Sequence, residues 1–343
     1  MRRRYAAYAV LALLLATITF GCSGGAGDGE AAQRVVVYTA LDEMFSRPIL
    51  ERFEADTGIR VQAVYDTEAA KTTGLVTRLI AEASRPRADV FWNNEVAQTI
   101  LLKNEGVLDP YVSPSAAAIP DAFKDPEGYW CGLAARGRVI IYNTNLVTDP
   151  PTSIRDLLDA RWRGKAAIAR PLFGTTATHA SVLFTLWGEE PAKEYFRGLL
   201  ANDVAVLAGN ATVRDLVAMG EYEVGLTDTD DAHGAVVDGR PAKWLFPDQD
   251  NELGALIIPN SVALIRGAPN PEAGKRLIDY LLSPEVERAL AESRSIQIPL
   301  NPEVEAPDHV PDLTEIRVTE VDFAAAAEQM EAVARFVQDE MSQ

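Results

Sequence analysis

Cysteine is scarce in this chain: only Cys22 and Cys131 occur. Two cysteines cannot build a disulfide framework or a cysteine-ligated metal centre, so the fold must stand on a packed core. Histidine is as rare, with His179, His233 and His309 far apart in sequence. No H-E-x-x-H and no G-x-S-x-G is present, which removes two hydrolase signatures. Cations are outnumbered, 32 Lys and Arg against 50 Asp and Glu, for a net charge of −18. Such a surface repels a phosphate backbone and excludes nucleic acid as a partner. Long apolar runs are lacking too. The longest, Tyr5 to Phe20, falls short of the roughly 20 residues that span a bilayer.

What is present begins with that run. Arg2, Arg3 and Arg4 precede it, and Thr19-Phe20-Gly21-Cys22 closes it, followed by Ser23-Gly24-Gly25. A basic start, a short apolar stretch and small residues describe a secretory signal. The closing residues resemble a bacterial lipobox, in which a cysteine becomes the acylated first residue of the mature protein. Residues 1–21 are therefore expected to be a lipoprotein signal peptide, Cys22 the lipid anchor, and 22–33 a flexible Gly/Ser tether. Removal of the three signal arginines leaves 29 Lys and Arg against 50 acids, a net of −21. Acylation of Cys22 would leave Cys131 as a free thiol, expected to be buried.

The remainder is long enough for two domains, and strands alternate with helices along it. Arg34 to Thr39 is a β-branched strand. A helix follows, with Ser46 as its cap, Pro48 in its first turn and Gly58 at its end. Ile59, Val61 and Ala63 alternate as a strand, and Leu75, Val76, Leu79 and Ile80 mark a helix face. Ala88 to Trp92 is a third strand, ahead of a helix running to Gly106. A second unit contains strands at 165–169, 204–207 and 222–226, a helix at 178–187, and a helix capped by Asn210 that reaches Met219. This β-α-β order predicts α/β lobes with parallel sheets. Arg138 to Tyr142 and Ala255 to Ile265 read as the links between units. Helices are expected at 271–282, 284–291 and 323–341. The boundaries that follow are 34–138 plus 257–310 for the first lobe, 139–256 for the second, and 311–343 for a C-terminal helical segment.

The segments VVVYTALDE (35–43), ADVFWNNE (88–95), EGVLDPY (105–111), IIYNTNLV (140–147), WRGKAAIARP (162–171), GEYEVGL (220–226) and PNPEAGKRLIDYLLSPEVERAL (269–290) come in a telling order. Together they resemble the ferric-ion-binding branch of the extracellular solute-binding proteins of ABC importers. The resemblance implies a type II periplasmic-binding-protein fold, two lobes joined by hinge strands that close on a ligand. It also implies an exported receptor, expected to be monomeric and not an enzyme, that hands its ligand to an ABC permease. No cofactor is implied; ferric iron with a synergistic anion is the transported cargo of that branch.

In open α/β sheets, ligands bind beyond the carboxyl ends of the strands. That rule selects four loops: Thr39 to Glu43, Asn93 to Glu95, Leu172 to Thr178, and Thr227 to Asp231. The candidate ligand-binding residues are Thr39, Asp42, Asn93, Asn94, Glu95, Gly174, Thr175, Thr176, Asp228, Asp230 and Asp231. Gly174, Thr175 and Thr176 open a helix, where amides and hydroxyls can hold an anion; the plainer alternative is a threonine that only caps the helix. The resemblance puts the synergistic anion at these three positions. It also implies two adjacent tyrosines as iron ligands where this chain has Asp230 and Asp231, with Asp42 and Asn94 or Glu95 near the family's other ligands. Asp42, Glu95, Asp230 and Asp231 form the candidate metal set. Carboxylates accept a hard cation or an ammonium group equally well, so an organic amine, a phosphonate or another small solute stands as the alternative cargo. An exported hydrolase is the more distant alternative. Arg136 and Arg138 are expected to face an anionic ligand or the acidic loops. Tyr38, Trp92 and Tyr142 are expected at the cleft wall or in the core, His179 and His233 as surface or capping residues, and His309 without a chemical role.

Overall fold

Strand β1 (Arg34–Thr39) pairs in parallel with β2 (Arg60–Tyr65) on one side and β3 (Val90–Asn93) on the other. The computed structural model describes residues 33–66, 73–250 and 253–341. The expected signal peptide, Cys22 and the expected tether up to residue 32 lie outside the described residues. Helix α1 (Glu43–Thr57) joins β1 to β2 and stops at Gly58, whose φ of 71° is a left-handed value that glycine adopts without strain. Its start differs from the sequence expectation. Asp42 is the N-cap, and Ser46 lies inside the helix, its hydroxyl donating to the carbonyls of Leu41 and Asp42. Pro48 accordingly lies beyond the first turn. Helices α2 (Thr73–Ala81) and α3 (Ala97–Asn104) cover the sheet, and Leu75, Val76 and Leu79 pack with Phe91 and Ile100.

Strand β5 (Cys131–Asn143) organises the molecule. Its first half pairs with β10 (Ile257–Ile265), which pairs in turn with β3 and with the short β4 (Leu108–Asp109). From Arg138 onward β5 pairs instead with β8 (Val224–Asp228) and β9 (Ala242–Leu245). The second sheet continues from β8 to β6 (Ala166–Ala169) and β7 (Ala205–Leu207), both pairings parallel. One strand thus changes sheets between Gly137 and Arg138. At that point a Cβ on Gly137 would lie 2.4 Å from the Phe246 ring, so only glycine lets the ring approach.

Helices α4 (Gly174–Trp187), α5 (Glu189–Ala201), α6 (Asn210–Met219) and α7 (Thr229–Val237) surround the second sheet. α4 begins at Gly174 instead of Thr178. α5 and α7 go beyond the sequence pattern, and Gly209, not Asn210, is the N-cap of α6. The stretch expected to be an acidic loop is the end of β8 followed by the first turn of α7. Helices α8 (Pro271–Leu281) and α9 (Pro284–Glu292) return to the first lobe. The single C-terminal helix expected is two, α10 (Phe323–Glu328) and α11 (Met330–Glu340), broken at Gln329. Phe323 and Ala327 of α10 pack into the first lobe, whereas Val333, Phe336 and Val337 of α11 pack with Phe184 and Phe196 of the second. Each large side chain buried there contributes about 1.5–3 kcal/mol. The architecture is two α/β lobes with hinge strands between them, as the resemblance implies. Among the described residues no helix is long and apolar enough to cross a membrane.

Candidate ligand-binding cleft

Strands β1, β3, β6, β7 and β8 all deliver their carboxyl ends to one cleft of about 940 Å³. Asp42, Phe45 and Asn94 line it from the first lobe; residues 173–176, 208–212 and the start of α7 line it from the second. Arg136 stands between them on β5. Four helices begin here. α1 and α7 carry aspartates at their starts: Asp42 at the N-cap of one, Asp228 at the N-cap of the other and Asp230 and Asp231 in its first turn. The helix dipole stabilises negative charge at those positions. α4 and α6 are different. Their N-caps, Phe173 and Gly209, offer no side-chain cap, and their first turns contain no acid. First-turn amides have no carbonyl partner within a helix, so two positive helix ends without acids of their own meet at the cleft, with Asp228 the carboxylate nearest both first turns.

The aspartates are already matched with arginines. Asp228 Oδ1 accepts from Arg138 Nη1 at 2.5 Å, and its Oδ2 accepts from the Thr175 hydroxyl at 2.5 Å and Asn210 Nδ2 at 2.8 Å. Asp230 lies 3.0 Å from Arg136 Nε, and Asp231 accepts from Arg214 Nη1 at 3.2 Å. The Arg136 pair is close but poorly aligned: the side chain is 4 % exposed, and its Nε and Nη2 find no well-aligned acceptor among the described residues. Burial opposes the charge of Arg136, but Asp230, followed by Asp42, Asp228 and Asp231, outweighs it and keeps the pKa above the ordinary range. Arg138, two residues along the same strand and so on the same face, likewise has Nε and Nη2 without acceptors. Carboxylate oxygens of Asp228, Asp230 and Asp231 lie within 4.8 Å of one another.

The candidate residues from sequence separate into two groups. Asp42, Asn94, Gly174, Thr175, Thr176, Asp228, Asp230 and Asp231 line the cleft. Thr39, Asn93 and Glu95 lie beneath it. The Thr39 hydroxyl accepts the Leu41 amide, and Asn93 donates to Glu95 and Thr99. Glu95 is fully buried and accepts from Thr178 at 2.7 Å, the Ala97 amide at 2.6 Å and the Gln98 amide at 3.0 Å. Burial raises its pKa, against the pull of these donors. Of the candidate metal set, only Asp230 and Asp231 come together, with Asp228 as the third carboxylate; Asp42 lines the cleft outside that group, and Glu95 lies beneath it.

His179 is a correction: it is buried in α4, not at the surface, and burial, followed by Arg138, pushes its pKa down to about 3. Tyr38 and Trp92 are buried in the core, Tyr142 packs against the second lobe's core, and none of the three lines the cleft. His309 stacks on His233, ring centres 5.6 Å apart. Cys131 is free and buried, and burial raises its thiol to about 12. Sequence reasoning missed Arg170, Asn210, Arg214 and Arg294. The loop after β7, residues 208–212, obeys the same strand-end rule as the other four, and applying the rule there would have found Asn210.

Comparison with known proteins agrees with this geometry. The profile of the family described as "Bacterial extracellular solute-binding protein" matches residues 88–326. A protein of Salmonella typhimurium named for binding 2-aminoethylphosphonate in the periplasm is 30% identical over 252 residues, 71% of this chain and 70% of that one. The iron uptake protein A1 of Synechocystis sp. is 25% identical over 274 residues, 76% of this chain and 74% of its own length. The ferric binding protein from Campylobacter jejuni superposes with a TM-score of 0.81 at 24% identity, over 89% of this chain and 98% of that one.

Proposed function

Because this chain belongs to the bacterial extracellular solute-binding proteins, we propose that its cleft captures a small solute bearing a phosphonate or phosphate group for an ABC permease. One observation carries the reading: the starts of α4 and α6, with no acid in their first turns, meet beside Arg136, a buried guanidinium whose Nη2 has no acceptor among the described residues. First-turn amides, the hydroxyl of Thr176 and a guanidinium are the donors that match a tetrahedral dianion. Asp42 and Asp231, in the same lining, can receive an ammonium group on the same solute. The Salmonella relative named for 2-aminoethylphosphonate supports this class of cargo.

Ferric iron with a synergistic anion is the second reading. It rests on the convergence of Asp228, Asp230 and Asp231 and on the relative named for iron uptake. In either case the solute is cargo, and the protein works as a binding receptor without chemistry of its own. Family membership supports an exported, periplasmic setting. Attachment to a membrane through Cys22 and a monomeric state complete our reading.

Calorimetric titration of the purified protein with 2-aminoethylphosphonate, inorganic phosphate and ferric citrate tests it. We expect saturable binding of the phosphonate. Saturation by ferric citrate with no response to either phosphorus compound would overturn the reading in favour of iron.

A further inference from the structure

We propose that Arg136 and Arg138 decide the sign of charge that the cleft accepts, by holding in check a carboxylate trio that would otherwise bind a hard cation. The inference rests on the cleft being the binding site, as proposed above, but not on which solute fills it. Asp228, Asp230 and Asp231 bring carboxylate oxygens within 4.8 Å of one another, a spacing that suits a cation with several oxygen ligands. Each of the three faces an arginine: Arg138 at 2.5 Å, Arg136 at 3.0 Å and Arg214 at 3.2 Å.

These arginines are not equivalent. Arg214 is 27 % exposed and is shared with Asp215, so it can swing towards solvent. Arg136 and Arg138 are 4 % and 1 % exposed on a strand whose backbone belongs to both sheets. They cannot leave, and an incoming cation meets their charge at contact range in a poorly screened interior. An anion meets the opposite situation, with N–H groups of Arg136 still lacking acceptors. The aspartates therefore work in the resting protein as counter-ions for buried arginines, and the arginines set the specificity.

The test compares wild type with Arg136→Gln, Arg138→Gln and Arg138→Lys, each titrated calorimetrically with Tb³⁺, an oxygen-seeking trivalent probe, and with 2-aminoethylphosphonate. Thermal melts establish that each variant is folded. We expect Arg136→Gln and Arg138→Gln to gain at least tenfold in Tb³⁺ affinity, and Arg138→Lys, which keeps the charge, to show no such gain. A merely structural role could lower binding but could not create a new affinity for a cation. Should Arg138→Gln not fold, Arg136→Gln decides, because Asp230 is nearer solvent. Wild type that already binds Tb³⁺ as tightly as the variants, or folded glutamine variants with no gain, would overturn the inference. If wild type ignores the phosphonate while the variants gain Tb³⁺ affinity, the cargo reading falls and the role of the arginines stands.

Discussion

Thr178, in the second lobe, donates its hydroxyl proton across the lobe boundary to Glu95 at 2.7 Å, in the floor of the first. Glu95 is fully buried and has no arginine or lysine ion-pair partner among the described residues. The bond therefore links the lobes where water does not compete for it, close to the strand that both sheets share.

Thr178→Val keeps the shape of that side chain and removes the donor. Leaving a buried acceptor without its donor costs about 1–3 kcal/mol, and that loss is expected in urea unfolding. Thr178→Ser should restore most of it. Equal stability of Val and wild type would mean that Glu95 is satisfied by its amides alone.

Thr176 lines the cleft, and its hydroxyl reaches Asn210 at 3.2 Å. Thr176→Val should leave the melting temperature close to wild type, because only this one long, part-buried contact is lost. It should weaken 2-aminoethylphosphonate about tenfold or more if the hydroxyl serves a phosphonate oxygen. Calorimetry reads the difference directly, and an unchanged affinity would remove Thr176 from the site.

His179 makes stability depend on pH. Its folded pKa of about 3 lies below the ordinary 6.5, so the unfolded chain takes up a proton that the folded one refuses. This contribution is complete above pH 6.5 and falls as the pH drops towards 3, by about 1.4 kcal/mol per pH unit. Between pH 7.5 and 5.5, wild type should lose about 1.4 kcal/mol more than His179→Gln. Parallel pH profiles for the two proteins would contradict it.

Gly137→Ala should cost about 1–3 kcal/mol, the range for overpacking, because the new methyl meets the Phe246 ring at 2.4 Å. Combining it with Phe246→Leu should recover part of the loss, a coupling that a double-mutant cycle measures. Additive losses would show that the ring is not what excludes the methyl.

Cys22→Ala should move the protein from the membrane to the soluble fraction of fractionated cells. Wild type that is already soluble and begins at another residue would end the anchoring proposal.

Much of the fold was legible because strands and turns write themselves locally. Val35 and Val37 announce β1, Gly58 ends α1, and the strand-end rule found the lips of the cleft. The start of α4 was misjudged because Gly174 and Thr175 are poor helix formers, and the neighbouring lobe supplies what propensity lacks. The site was harder. Asp228 and Arg138 are 90 positions apart, and no periodicity reports that they meet. Glu95 looked available because a carboxylate after a strand usually is; the amides of Ala97 and Gln98, only two and three residues on, had claimed it. The alternation Arg136-Gly137-Arg138 was the available clue, since residues two apart on a strand share a face.

The order of strands also bears on how the molecule is made. β10 lies between β3 and β5 in the first sheet, yet it is synthesised only after every strand of the second. Until it arrives, β3 and β5 each present an open edge and cannot bond to one another. A nascent chain therefore completes the second sheet before it can complete the first, and pairings so distant in sequence form slowly.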